Sequence, residues 1–251
     1  MREEFQNGHW HNRGYLPHYD QEGKYQSITY RLGDSLPFEL LNRKLGSPHS
    51  NAELSSNHQS HDAKKRVLSE SIMDLSLGAC TLRERSVAEK KIEAWKHFDG
   101  KRYDLISYVV MPNHCHLLIK TYDDWPISSL VSSWKKHVTY FVRKDEELWQ
   151  KYCNSYYAYK ENYLKYNAAL STGRIGKEEK DEYNAALECG APSRSYKTHF
   201  WQREYWDRFI RDENHFNKVI DYIHENPVKA GLAKTASDYN FSSIYNELGD
   251  S

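Results

Sequence analysis

Long apolar runs are missing from this 251-residue chain. No stretch of about 18 or more consecutive apolar residues occurs, so no membrane-spanning helix is expected. The opening MREEFQNGHWHNRG lacks the apolar core of a secretory signal, and the expectation is a cytoplasmic protein with no membrane partner. Cysteine is sparse and dispersed. Cys80, Cys115, Cys153 and Cys189 form no Cys-x-x-Cys pair, which argues against a disulfide framework and against a cysteine zinc cluster. Excess charge of either sign is absent too, because 35 Lys and Arg balance 35 Asp and Glu. A bulk grip on a nucleic-acid backbone needs clustered cations, so here only a local basic groove could supply one.

What is present is enough chain to bury a substantial core. It reads as a single domain over 1–251, with insertions expected at 42–80 and 145–198 where Gly, Pro, Ser, Asn, Tyr and Lys replace apolar periodicity. Tyr25–Leu32 reads as a first strand, with Ser27 and Thr29 on one face. Val87, Ile92 and Trp95 give Arg83–Phe98 one apolar side, as in a helix. Two apolar runs, Tyr103–Met111 and His114–Thr121, flank a Pro112-Asn113 break and are expected to pair as antiparallel strands. Pro126–Arg143 returns to helical spacing, and Phe200–Arg211 is expected as a last strand. Asp212–Asn226 is expected as a closing helix stopped by Pro227. Its residues Phe216, Val219, Ile220 and Ile223 would face the sheet, with Lys218, Tyr222 and Asn226 on another stripe. The order β–α–β–β–α–β–α calls for an α+β fold, an antiparallel sheet with helices packed on one face.

The chemistry-bearing feature is VVMPNHCHLLI. On a strand, side chains two apart share a face, so His114 and His116 project together while Cys115 points into the packing. Two convergent imidazoles can hold a metal if a third ligand arrives from elsewhere. Near the C-terminus, WQREYWDRFIRDENHFNKVIDYIHENPVKAGL places Tyr222 and Asn226 one helical turn apart.

Those two segments resemble the IS200-like transposases with a single catalytic tyrosine, and among them the REP-associated tyrosine transposases. The resemblance implies a ferredoxin-like or palm-like fold and a metal-dependent DNA transposase. In that reading His114 and His116 are metal ligands, Tyr222 is the nucleophile, and Asn226 stands where such enzymes often carry a glutamine that completes the metal site. It implies Mg²⁺ or Mn²⁺ as cofactor and single-stranded or hairpin repeat DNA as partner. The product would be a covalent 5′-phosphotyrosine, formed by a monomer or a homodimer. Lys135, Lys136, Arg203, Arg208, Arg211 and Lys229 are candidates for DNA phosphate contacts, and each equally fits an ordinary surface role. Asn113 fits either a turn or an orienting contact to a histidine. Two other readings stay open: a non-catalytic DNA-hairpin-binding module, and a histidine-metal phosphohydrolase that needs no tyrosine.

Overall fold

The computed structural model describes residues 10–12, 17–19, 23–35, 73, 76–171 and 198–245. The region 42–75 of the first expected insertion, apart from residue 73, and the region 172–197 of the second lie outside them. A short hairpin comes first, β1 (Trp10–Asn12) against β2 (Pro17–Tyr19). The main sheet holds β3 (Tyr25–Arg31), β4 (Tyr103–Val110), β5 (His114–Thr121) and β6 (Trp206–Phe209). The helices are α1 (Arg85–Lys96), α2 (Ile127–Lys144), α3 (Glu146–Ser171) and α4 (Glu213–Lys229). Among the described residues no helix is long and apolar enough to cross a membrane.

All pairings in the main sheet are antiparallel, and the strand order is β4-β5-β3-β6. Counted along the chain, the second sheet strand stands next to the third, then the first, then the fourth. With α1 and α2 between them this is the ferredoxin-like arrangement. It puts β5, the histidine strand, inside the sheet, where both its faces are covered. Ile28, Tyr30, Cys115, Leu117, Ile119, Tyr108 and Val110 point to one face and join the core under α1 and α2. From α2 that core takes Ile127, Leu130, Val131, Trp134, Val138 and Val142, the i, i+3, i+4, i+7 stripe of a half-buried helix.

The opposite face has its own cover. Val109, Met111 and Leu118 pack there against Ile223, with Phe216, Val219 and Ile220 of α4 around them. The sheet thus carries α1 and α2 on one face, as an α+β fold requires, and the last helix lies over the other. Asp212 caps α4, accepting a hydrogen bond from the His215 amide at 2.8 Å.

Three local expectations need correction. The helix does not stop at Asn226: α4 runs to Lys229 with Pro227 inside it. A proline this close to the end deletes one backbone donor of the last turn, and Pro227 is buried, so packing offsets the lost bond. The last strand is shorter than Phe200–Arg211, because only Trp206–Phe209 pairs with β3 while Trp201 makes an isolated bridge to Leu32. The start of the expected second insertion is the long helix α3, and it enters the core: Tyr152 and Tyr156 are buried beside Phe200. Tyr152 donates to the carbonyls of His199 (2.5 Å) and Phe200 (3.2 Å). Gly33 lies under this contact, where a Cβ would stand 2.2 Å from the His199 carbonyl oxygen, so only glycine fits.

Candidate active site

The β3–β5 register sets His116 opposite Thr29 and His114 opposite Arg31, all on the face that α4 covers. The two imidazoles lie edge to face, centroids 4.8 Å apart at 86°. The Tyr222 ring approaches His116 in the same manner, at 5.3 Å and 81°. Helix α4 therefore delivers the tyrosine to the histidine pair within one chain. Asn226 follows one turn later and is buried.

Each histidine is held by its Nδ1. His114 Nδ1 lies 2.7 Å from Asn113 Oδ1. The Asn113 amide nitrogen donates to the Leu77 carbonyl at 3.0 Å, which leaves its oxygen as the acceptor facing His114. An acceptor there requires His114 to carry its proton on Nδ1, which puts the ring's lone pair on Nε2. His116 Nδ1 lies 2.7 Å from Thr29 Oγ1. A hydroxyl can donate or accept, and the tautomer that matches His114 has Nδ1–H donating to Thr29. His116 Nε2 and Asn226 Oδ1 are buried without a hydrogen-bond partner among the described residues. Burial of this kind costs roughly 1–3 kcal/mol per polar group, so each of these atoms calls for a ligand that satisfies it.

Burial also settles the charge of the pair. Desolvation pushes His116 down to about 3. It pushes His114 well below the usual imidazole range too, with the neighbouring His116 and Arg31 adding to the effect. Both rings are neutral at pH 7, the form that ligates a metal. Cys115 faces away into the core. Burial lifts its thiol to about 11, so it is a packing residue rather than a nucleophile.

Among the described residues no group of three or more His, Cys, Asp or Glu is placed to hold a metal. The candidate donors are of another kind: imidazole nitrogens on β5 and an amide oxygen on α4, one helical turn after Tyr222. The orphaned acceptors on His116 and Asn226 fit a divalent cation, and the neutral rings leave its charge unspent.

The candidate phosphate contacts separate into groups. Lys229 sits beside the nucleophile candidate, its Nζ 5.3 Å from the Tyr222 ring centre. Arg208 pairs with Ser27 and shares the histidine face of the sheet. Arg211 occupies the β6–α4 connection, where its amide donates to His215 Nδ1 at 3.2 Å. Lys135 is committed internally, donating to the carbonyls of Gln202, Arg203 and Glu204 at 2.8–3.4 Å. Lys136 and Arg203 are exposed on the α2 side, away from the histidines. Thr29 and Arg31 had no sequence-based role at the site. Strand alternation from Ser27 places both on one face, but their opposition to His116 and His114 is a matter of register.

A histidine-x-histidine strand thus faces a tyrosine-bearing helix on a ferredoxin-like sheet. A family model described as "Transposase IS200 like" matches residues 83–178, a span that includes both histidines and ends before Tyr222. The matched span is less than half of the chain. It is similar to the REP-associated tyrosine transposase of Escherichia coli K12, 38% identical over 48 residues, covering 19% of this chain and 29% of that protein. A Haemophilus influenzae protein provisionally given the same name is also 38% identical over 48 residues, 19% of this chain and 27% of that one. The chain thus spans less than a third of the length of the curated relatives it matches. A solved structure of a REP-associated tyrosine transposase bound to a REP hairpin is 16% identical, covers 95% of this chain and 84% of its own, and superposes with a TM-score of 0.38.

Proposed function

We propose that this chain is a metal-dependent DNA strand transferase that cuts single-stranded or hairpin repeat DNA through a covalent 5′-phosphotyrosine at Tyr222. One observation carries the reading: the Tyr222 ring packs edge to face with His116 at 5.3 Å, and His116 Nε2 and Asn226 Oδ1 are buried without a hydrogen-bond partner among the described residues. The repeat-associated names of the curated relatives favour hairpin repeat DNA as partner.

His114, His116 and Asn226 would hold the cation. Imidazole ligands suit Mn²⁺ on softness, while Mg²⁺ prefers oxygen donors and keeps more of its waters. When bound, the cation would polarise the scissile phosphate and offset the charge that develops on it. Asn113 and Thr29 orient the imidazoles through their Nδ1 atoms, as outer partners do in metal sites. The Tyr222 oxygen attacks phosphorus, the bond to the 3′ oxygen breaks, and that oxygen leaves as a 3′-hydroxyl after taking a proton from solvent. A phenol ionises near pH 10. The Lys229 ammonium beside the ring favours the phenolate and so assists the attack. In the reverse direction a 3′-hydroxyl attacks the phosphotyrosine and rejoins the strand without ATP. Because tyrosine and histidines meet within one chain, a monomer suffices for the cut.

The test is a 3′-labelled hairpin-bearing single strand incubated with the protein and Mn²⁺ or Mg²⁺. A denaturation-resistant adduct is expected, lost with Tyr222→Phe and with EDTA, while Tyr222→Phe changes hairpin affinity by no more than about threefold. Hairpin binding without any adduct, across oligonucleotides from the DNA flanking the gene, would make the protein a binding module. Cleavage that survives Tyr222→Phe would make it a histidine-metal phosphohydrolase.

A further inference from the structure

A second surface lies on the other side of the sheet. Between α2 and the segment 198–205 runs a cleft of about 480 Å³. Its α2 wall is built from residues at helical spacing: Ser132, Lys136, Thr139, Tyr140 and Arg143. Arg203 closes it from the opposite wall, next to Trp201, which bridges to the end of β3. The cleft therefore sits at the β6 edge of the sheet, on the face opposite to His114 and His116.

Its chemistry is one-sided. Among the described residues the lining has Lys135, Lys136, Arg143 and Arg203, and no carboxylate. Lys135 is used up on three carbonyls, but that bond set pins the 202–204 backbone against α2 and gives the cleft a fixed wall. Lys136, Arg143 and Arg203 are exposed, and Arg203 makes a loose ion pair with Glu204 at 3.9 Å. The cations stand on a chain whose net formal charge is zero, so their grouping is local. Beside them Tyr140 is 64% exposed, the most exposed large apolar side chain among the described residues. Lys144 lies over its ring at 4.5 Å.

A row of cations and hydroxyls flanking one exposed aromatic ring is what an unpaired strand of nucleic acid recognises: phosphates along the groove, a base stacked on the ring. From Ser132 to Arg143 the α2 wall is about 16 Å long at 1.5 Å per residue, room for several phosphates. We infer that this cleft binds single-stranded DNA, with Lys136, Arg143 and Arg203 on the phosphates and Tyr140 stacked on a base. It would thus hold the unpaired segment that flanks a hairpin at a site separate from the Tyr222 centre. The occupant's identity as DNA rests on the function proposed above; the cleft's charge and aromatic exposure do not.

Fluorescence anisotropy of the full chain with a labelled unstructured 12-nucleotide strand tests this, read at several salt concentrations and alongside adduct formation. Lys136→Glu with Arg143→Glu should weaken binding at least tenfold and reduce the salt slope by about 1.4, at roughly 0.7 per phosphate on a single strand. Tyr140→Ala should weaken it about fivefold or more with the slope unchanged. The matched control Lys96→Glu with Lys101→Glu, exposed cations outside the cleft, should leave both values as they are. Cleft variants that bind like the control, or a duplex of the same sequence that binds as tightly as the single strand, overturn the inference. If the wild type forms no adduct yet the cleft variants lose the strand, the cleft stands and the strand-transfer reading falls. An adduct on the hairpin from the wild type, with strand binding untouched by the cleft variants, removes the cleft and leaves strand transfer at Tyr222 standing.

Discussion

Thr29 Oγ1 lies 2.7 Å from His116 Nδ1, across the pairing of β3 with β5. The neighbouring His114 has an equivalent partner in Asn113, also at 2.7 Å. Each ring is anchored by one nitrogen, so the other has a fixed direction. The first strand of the sheet and the turn before β5 thus take part in the site although neither carries a histidine.

These anchors make a prediction about metal affinity. Asn113→Ala and Thr29→Val should each weaken Mn²⁺ binding by about 10- to 100-fold in titration calorimetry. Adduct formation should fall with them at low metal and recover when Mn²⁺ is raised. A variant that stays inactive at saturating Mn²⁺ would show that the anchor does more than orient its ring.

Lys229 makes a different prediction, since its Nζ lies over the Tyr222 ring at 5.3 Å. Lys229→Ala should slow adduct formation by roughly tenfold, the cost of about 1.4 kcal/mol in the barrier. The loss should shrink as pH rises, because a more basic solution supplies the phenolate that the lysine no longer favours. Rate measured against pH checks this, with hairpin affinity as control. A pH-independent loss would move Lys229 to a phosphate-binding role.

The tyrosine helix is clamped two residues past Tyr222. His224 Nε2 lies 2.9 Å from Ser243 Oγ and 3.0 Å from Ser107 Oγ, tying α4 to β4 and to the C-terminal segment. That segment also receives the Val110 amide on the Phe241 carbonyl at 2.9 Å. His224→Ala should lower the adduct rate by about three- to tenfold while leaving Mn²⁺ affinity at His114 and His116 within about twofold. Hydrogen exchange should show faster opening of α4. Unchanged exchange in α4 would contradict the clamp.

Lys91 is the odd residue of the core. Its Nζ is buried without a hydrogen-bond partner among the described residues, with the Tyr30, Trp95, Trp201 and Trp134 rings at 4.5–5.8 Å. The rings attract the ammonium, but burial outweighs them and brings the amine down to about 7. An amine with a lowered folded-state pKa costs stability wherever the unfolded chain holds its proton more readily. The full cost applies below pH 7, shrinks between about 7 and 10.5, and vanishes above. Lys91→Met should therefore raise the melting temperature at pH 6–7, by about 2–4 °C per kcal/mol for a chain of this size. The gain should fade toward pH 10.5. A gain that is constant with pH would assign it to packing alone.

Much of the architecture was legible along the chain because it rests on local periodicity. Alternation identified β3, and two apolar runs around the Pro112-Asn113 break identified β4 and β5, each within a residue or two; the 3.6-residue stripe identified α1, α2 and the sheet-facing side of α4. The motif VVMPNHCHLLI placed two imidazoles on one face through the two-residue repeat of a strand, and Cys115 on the other. The misreadings have local causes. Pro227 resembled a helix stop, yet in a last turn it removes one donor and no more. The stretch after Asp145 resembled an insertion because its tyrosines and lysines blur the apolar stripe, although Tyr152 and Tyr156 are core residues.

What no local pattern contains is contact between distant segments. That Thr29 meets His116, 87 positions further on, depends on β3 pairing with β5 in a register that a slip of one residue would invert. That Tyr222 meets His116 depends on α4 crossing the face of the sheet that α1 and α2 leave open, a choice made by Ile223 packing against Val109, Met111 and Leu118. Side-chain identity along the chain specifies which chemistry is available. Burial of two separate apolar faces brings those groups within reach of one another.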